Sequence, residues 1–137
     1  MNRADFQRLT TIRLREAKLL FKAAEYSGAY YLAGYSVECA LKACFAKSVK
    51  RFDFPDKSRA GKVFTHKLTD LAELANLKKE LIAATQSNLK LGSGWSEVCK
   101  WSEESRYSAW TREDAEAILD AITRRKDGVL PWIKRRW

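Results

Sequence analysis

One segment constrains the fold more than any other: residues 29–49 have the pattern of a helix that is apolar almost all round. Seven residues form its main apolar face: Tyr30, Ala33, Val37, Ala40, Leu41, Cys44 and Phe45. A helix with so little polar surface occupies the centre of a bundle. The 137 residues include only 6 Gly and 2 Pro. This scarcity favours long helices over strands, because strands require frequent turns.

A polar stripe interrupts this central helix. Tyr31, Tyr35, Glu38 and Lys42 project from one side, and the last two form an i,i+4 pair in the favourable order. One interpretation is an internal ion pair that fixes the register of the bundle, with Arg13 or Arg106 joining it. The other is a polar pocket that receives a nucleotide or a side chain of a partner. We favour the ion pair.

The first half of the chain contains two further helical patterns. Apolar residues recur at steps of three and four over residues 3–26, which predicts a helix that ends at Ser27-Gly28. Residues 50–64 have the composition of a loop. Thr65 is a suitable cap for a third helix that begins at His66, and Asn76 is a candidate break after it.

The second half predicts shorter elements. A helix is expected over 77–91, a joint at 92–94, and a short helix with an extended turn over 95–110. Thr111 and the acids after it predict the start of the last long helix, which Gly128 stops or bends; Pro131 then begins a final turn. Together these patterns predict an all-α, up-and-down bundle of four to five helices in a single domain over residues 1–137.

Charge and cysteine content bear on partners and location. The formal net charge of +9 favours nucleic acid, nucleotides or an acidic protein as partners, although it also fits plain solubility. Three cysteines and one histidine form no zinc motif, so we expect a reduced, cytoplasmic protein with no metal and no cofactor. The first residues lack the apolar core of a signal peptide, and no segment is apolar enough to span a membrane.

Three segments together resemble HEPN proteins over residues 3–126. Residues 27–43 are similar to the aromatic-small stretch and Glu-x-x-x-Lys of that family's second helix. Residues 65–68 are similar to the histidine-leucine start of its third helix, and residues 104–107 to the Arg-Tyr segment before its last long helix. The resemblance implies a helical bundle that forms a homodimer and is encoded beside a minimal nucleotidyltransferase, as in toxin–antitoxin-type pairs.

The same resemblance bears on catalysis. Many HEPN proteins are metal-independent ribonucleases that use an Arg followed by a His near the start of the last helix. In this chain Arg106 is followed there by Thr111, Arg112 and Glu113, so the histidine is missing. Arg59 and His66 have a matching spacing, but in the wrong segment.

Several residues are weak candidates for a site. His66 is more simply explained as a helix-start residue satisfied by local hydrogen bonds than as a general acid or base. Arg106 with Tyr107 either contacts phosphate at a dimer cleft or is a buried Arg bonded to Glu38. The tryptophans are expected at an interface rather than under stacked bases. A solvated face is expected for the basic tail, which contains Arg124, Arg125, Lys126, Lys134, Arg135 and Arg136.

Three hypotheses follow. The leading one is a non-catalytic or weakly catalytic HEPN module that dimerises and binds a nucleotidyltransferase-type partner, with nucleotide or RNA as a further ligand. The expected binding residues are Arg106, Tyr107, Glu38, Lys42, Tyr31 and Tyr35. The second hypothesis is an endoribonuclease that uses Arg106 with an atypical base. The third is a purely structural helical dimer.

Overall fold

The computed structural model describes residues 1–51, 61–62 and 64–137, and these residues form an all-α bundle, as the sequence predicts. The elements are α1 (Arg3–Lys22), α2 (Tyr26–Arg51), α3 (Leu68–Leu74), α4 (Lys78–Ser87), α5 (Leu89–Cys99), a 3-10 helix (Glu103–Tyr107), α6 (Arg112–Thr123) and α7 (Val129–Lys134). The described residues thus contain seven α-helices, more than the four to five expected.

The second helix is the centre of the bundle, as its apolar pattern predicts. It packs against α1, α3, α6, α7 and the 3-10 helix. Its side chains include several of the most deeply buried in the described chain, among them Tyr30, Val37 and Leu41. The start of α1 and the end of α2 line the same groove, so these two helices form an antiparallel hairpin.

The break between α1 and α2 is not where the sequence suggested. Ser27 and Gly28 lie inside α2, and the chain turns instead at residues 23–25. Ala24 adopts a left-handed conformation with φ of 62°, and the N–H of Glu25 donates to the carbonyl of Leu20 at 2.9 Å. This is a Schellman motif with Ala in the position that Gly usually takes, so no glycine marks the turn.

The predicted joint at residues 92–94 is also wrong, because these residues lie within α5. A Cβ atom at Gly94 would lie 3.4 Å from the carbonyl oxygen of Ala121, so this glycine lets α5 approach α6 closely. The true boundary is Asn88, whose side chain accepts a hydrogen bond from the N–H of Leu91 at 3.1 Å and caps α5.

Other predicted boundaries agree to different degrees. Asn76 does end the third helix, with φ of 60°, but that helix begins at Leu68 and Thr65 does not cap it. The cap of α6 is confirmed, since the Thr111 and Asp114 side chains form a reciprocal capping box. Gly128 precedes α7 as its N-cap rather than ending α6.

Candidate functional site

Glu38 is the centre of a polar cluster that crosses the bundle. The residue as a whole is 1% exposed, and its Oε1 accepts a hydrogen bond from Lys42 Nζ at 2.8 Å. The same oxygen lies 2.9 Å from Nδ1 of His66. The other ring nitrogen of His66 lies 3.1 Å from Oε2 of Glu103, at the start of the 3-10 helix. The cluster therefore joins α2, the segment before α3, and the 3-10 helix.

These are the parts of the chain that carry the resemblance described above. Glu38 and Lys42 are the Glu-x-x-x-Lys pair, His66 belongs to the second segment, and Glu103 directly precedes the third. The expected additional partners are different, however. Arg13 pairs with Glu16 at 2.8 Å instead of with Glu38. The position beside Glu38 that was expected to hold an arginine is occupied by His66, for which only local hydrogen bonds were predicted.

The position of His66 limits its chemistry. A neutral imidazole donates through only one of its two nitrogens, so only the imidazolium can donate to both Glu38 and Glu103. The two carboxylates face opposite ring nitrogens and cannot converge with the ring on one ion. Among the residues that the structure describes, no group of three or more His, Cys, Asp and Glu side chains could hold a metal. Arg59 lies outside the described residues, and its spacing to His66 stays a sequence observation.

A groove of about 630 Å³ lies between the start of α1 and the C-terminal half of α2; we call it the α1–α2 groove. Its described lining consists of Met1, Asn2, Arg3, Phe6, Leu9, Tyr35, Glu38, Cys39, Lys42, Phe45, Ala46, Val49 and Phe64. Most of these side chains are apolar, and two of them, Met1 and Phe64, are 76% and 79% exposed. The Glu38–Lys42 ion pair is thus present, and both residues belong to the lining of this largely apolar groove, which does not include Tyr31.

Two polar atoms in this lining are unsatisfied. In the described part of the chain, the only buried side-chain nitrogen or oxygen atoms without a hydrogen-bond partner are Oε2 of Glu38 and Nε of Arg3. Buried polar groups are nearly always paired. Both atoms are enclosed by the protein and have almost no accessible surface, so they are unsatisfied groups inside the bundle and do not face a ligand in the groove.

The two tyrosines of the stripe contact each other, with ring centroids 5.9 Å apart. Tyr35 also lines the groove, and burial raises the pKa of its hydroxyl. Tyr31 also stacks on Trp101, with ring centroids 5.9 Å apart, and its carbonyl accepts a hydrogen bond from the indole N–H at 3.0 Å. The predicted stripe therefore runs from the groove to a packed aromatic pair.

Arg106 and Tyr107 lie on the surface. Arg106 is exposed, and its guanidinium lies 4.8 Å from the ring centroid of Tyr107, which is itself 77% exposed. A hydrogen bond to the Tyr107 side chain raises the pKa of Arg106, and Tyr31 contributes in the same direction. The interpretation of Arg106 as a buried partner of Glu38 is therefore wrong, because Ser105 is the residue of this turn that faces the core.

Two of the tryptophans are engaged within the chain. Trp101 is 3% exposed and lies directly over Gly34 of α2, so it is a core residue and not an interface anchor. Trp110 stacks on Tyr30 with ring centroids 3.8 Å apart and donates its indole N–H to the Ser105 carbonyl. Trp101 therefore offers no free face of the kind that single-strand binders use, and one face of Trp110 is covered by Tyr30.

The basic residues divide into paired and unpaired groups. Arg124 pairs with Asp120 at 2.6 Å, and Arg136 pairs with Glu80 at 2.6 Å while covering Trp132. Lys134 lies with three cations of α1 in one cleft. This cleft was not predicted, because its residues come from opposite ends of the chain. The cleft is lined by Thr11, Leu14, Arg15, Lys18, Leu19, Lys22 and Lys134.

The cysteines do not supply a nucleophile at neutral pH. All three are free, and burial raises the pKa of Cys39 to about 12 and that of Cys44 and Cys99 to about 11. The thiolate, which is the nucleophilic form, is therefore scarce. This agrees with the expectation that Cys39 and Cys44 act as small apolar residues.

Comparisons of the chain with models of protein families, with curated proteins and with solved structures found no match. The resemblance to HEPN proteins therefore rests on the three segments alone. Within the described ranges, no helix is both long and apolar enough to cross a membrane.

Proposed function

We propose that this protein is a cytoplasmic HEPN-like module without catalytic activity of its own, which forms a homodimer and binds a nucleotidyltransferase-type partner protein through the α1–α2 groove. The observation that carries this proposal is the groove itself. It is concave, its lining is largely apolar, and Phe64 stands exposed at 79% among its lining residues. Contiguous exposed apolar surface of this kind marks interaction sites.

The groove provides enough apolar surface for recognition. Full burial of one large apolar side chain is worth about 1.5–3 kcal/mol. A few such anchors at the centre of an interface supply most of its binding energy. In this chain, such anchors would pack against the apolar wall of the groove, which includes Phe6, Leu9, Phe45 and Val49.

The test compares two matched variants. Phe64→Asp places a charge in the groove, whereas Leu89→Asp makes the same change at a residue that is 84% exposed and outside it. Both positions are too exposed for either change to unfold the chain. Each chain is tagged and used to capture proteins from a lysate of the cells in which this protein naturally occurs. We expect wild type and Leu89→Asp to capture a nucleotidyltransferase-type protein, and Phe64→Asp not to capture it.

Sedimentation of the purified wild-type chain tests dimer formation separately. A dimer that captures no partner would support the purely structural dimer instead. Equal capture by Phe64→Asp and wild type would contradict a role for the groove.

RNA binding, with or without cleavage, is a second candidate, favoured by a different observation. Arg106 is exposed, and the cleft between α1 and α7 collects Arg15, Lys18, Lys22 and Lys134. His66 is oriented by the buried carboxylate of Glu38, as acid–base histidines are. Binding through phosphates would weaken steeply as salt is raised.

Incubation with a mixed RNA pool tests cleavage. Cleavage that is lost in both Arg106→Ala and His66→Ala would establish the ribonuclease, provided that both variants melt normally. Absence of cleavage by the wild-type protein would leave the binding module.

A further inference from the structure

We infer that the cationic cleft between α1 and α7 binds an acidic segment of another protein, and that this segment also carries apolar side chains. The cleft contains four cations, Arg15, Lys18, Lys22 and Lys134. The inference goes beyond the proposed function, because it concerns a second surface. RNA, the second candidate ligand above, would compete for the same cleft.

The cleft and the α1–α2 groove lie on opposite sides of α1. Leu9 lines the groove, and Lys18 lines the cleft. The nine residues from one to the other make two and a half turns at about 3.6 residues per turn, so the two side chains point in opposite directions. A ligand in the cleft therefore leaves the groove open, and the two surfaces can be tested separately.

The cations that α1 contributes to this cleft are uncompensated. Among the residues that the structure describes, Arg15, Lys18 and Lys22 form no ion pair, and the two acids of this helix pair with arginines outside the cleft. Lys18 follows Arg15 by three residues and precedes Lys22 by four, so the three cations are neighbours on one side of the helix. Like charges at these spacings repel each other and destabilise a helix. An acidic ligand would remove this repulsion.

The cleft also exposes apolar surface among these cations. Leu19 is 59% exposed and lies one turn from both Arg15 and Lys22, and Leu14 also lines the cleft. The row from Arg15 to Lys22 spans about 10 Å along the helix axis. A segment with acidic side chains at a similar spacing, and with apolar side chains between them, would pair with the cations and bury the leucines together.

Three other occupants fit less well. The described lining contains no aromatic side chain on which a base of RNA could stack, and a phosphate backbone leaves the leucines without an apolar partner. An anionic bilayer is broad and flat, whereas these residues line a cleft between two helices. In an isologous dimer formed here, the cations of one copy would meet the same cations of the other.

The experiment uses labelled probes of defined chemistry. The first is a synthetic helical peptide with glutamates at steps of three and four and leucines between them. The second peptide keeps the glutamates and has glutamine in place of each leucine. The third probe is a uridine oligonucleotide of equal charge, and the fourth is a phosphatidylserine vesicle. Binding is measured by fluorescence anisotropy, and by co-sedimentation for the vesicles.

Charge reversal locates the site. One double variant, Lys18→Glu with Lys22→Glu, reverses two cations of the cleft. The control, Lys79→Glu with Lys90→Glu, reverses two lysines outside it. All four positions are exposed, so neither double variant should unfold the chain. Both have the same net charge, so a difference between them reports on the cleft and not on net charge.

We expect the first peptide to bind wild type more tightly than the other three probes do. Reversal of the two cleft lysines should weaken its binding by about tenfold, because two attractions become two repulsions. The control double variant and Phe64→Asp should bind it with a Kd close to that of wild type. Physiological ionic strength is used, since charges more than about 8 Å apart are then largely screened.

Four results would overturn the inference. One is equal weakening by the two double variants, or no binding of the first peptide. Another is equal binding of both peptides, since the leucines would then contribute nothing. Tighter binding of the oligonucleotide or the vesicles would assign the cleft to RNA or to a membrane. Loss of the peptide in Phe64→Asp would place it in the α1–α2 groove instead.

Discussion

Glu38 is the residue on which both the fold and the groove depend. Its Oε1 pairs with Lys42 on the same helix and with His66 from the segment before α3, while its Oε2 is buried without a partner. A buried carboxylate is costly unless it is paired. The arrangement therefore makes Lys42 a structural residue, although lysines are usually exposed.

Lys42→Ala should lower the free energy of unfolding markedly. The side chains of Lys42 and Glu38 are 14% and 2% exposed, and removal of one member of a buried pair costs about 3–5 kcal/mol. We expect a loss at the lower end of this range, since His66 still faces Glu38. Urea denaturation measures it, with Lys47→Ala as the exposed control on the same helix. Equal stability of the two variants would contradict a structural ion pair.

Gly34→Ala tests the contact between α2 and Trp101. A Cβ atom at position 34 would overlap the indole ring, which the Tyr31 carbonyl holds in place. Overpacking of a core costs about 1–3 kcal/mol. We expect a lower melting temperature and a changed tryptophan fluorescence spectrum. Trp101→Phe replaces the indole with a smaller ring, so it should relieve the overlap when it is combined with Gly34→Ala. Equal melting temperatures for Gly34→Ala and this double variant would refute the contact.

At the scale of elements, some helix ends could be predicted from the sequence and others could not. The end of α3 near Asn76 was predictable, because Asn tolerates the left-handed φ found there. The start of α6 was predictable, because Thr111 and Asp114 cap this helix with their own side chains. The end of α1 was missed because Ala24 has no such signature. Ala24 is exposed, and two backbone hydrogen bonds hold its left-handed conformation: its own N–H donates to the Phe21 carbonyl, and the N–H of Glu25 donates to the Leu20 carbonyl.

Ala24→Gly should therefore stabilise the protein. A non-glycine residue in the left-handed region costs roughly 1–2 kcal/mol, which glycine avoids. We expect a gain of about 1 kcal/mol in urea denaturation. Ala23→Gly is the control, because Ala23 has φ of −83° and gains nothing from glycine. A loss of stability in Ala24→Gly would contradict the Schellman end of α1.

The α6 capping box gives a dependence on pH. Hydrogen bonds from the Thr111 backbone and side chain hold the pKa of Asp114 below its usual 3.8. A lowered pKa means that the charged form stabilises the folded state above pH 3.8, and that this contribution is lost as the pH falls through the folded pKa.

Asp114→Asn should accordingly be less stable than wild type at neutral pH and equal to it at strongly acidic pH. Thermal melts across this range are the measurement. A difference that persists at acidic pH would assign the effect to something other than this carboxylate.

At the scale of the whole molecule, the candidate site was only partly predictable from the sequence. The stripe at i,i+4 spacing identified Glu38 and Lys42, because both lie on one helix. Arg3, Phe64 and Glu103 were missed, since nothing in their local sequence shows that distant segments meet at Glu38. Arg106 was predicted as a site residue but misplaced in one interpretation, because a 3-10 turn directs Ser105 inward and Arg106 outward.

The central claim is that the α1–α2 groove is the surface to which a partner protein binds. Isothermal titration of the captured partner with wild type, Phe64→Asp and Leu89→Asp tests it most directly. An interface hot spot contributes about 2 kcal/mol or more. We therefore expect Phe64→Asp to bind with at least about a thirtyfold weaker affinity, and Leu89→Asp to bind with a Kd close to that of wild type. Equal affinities for all three proteins would contradict it.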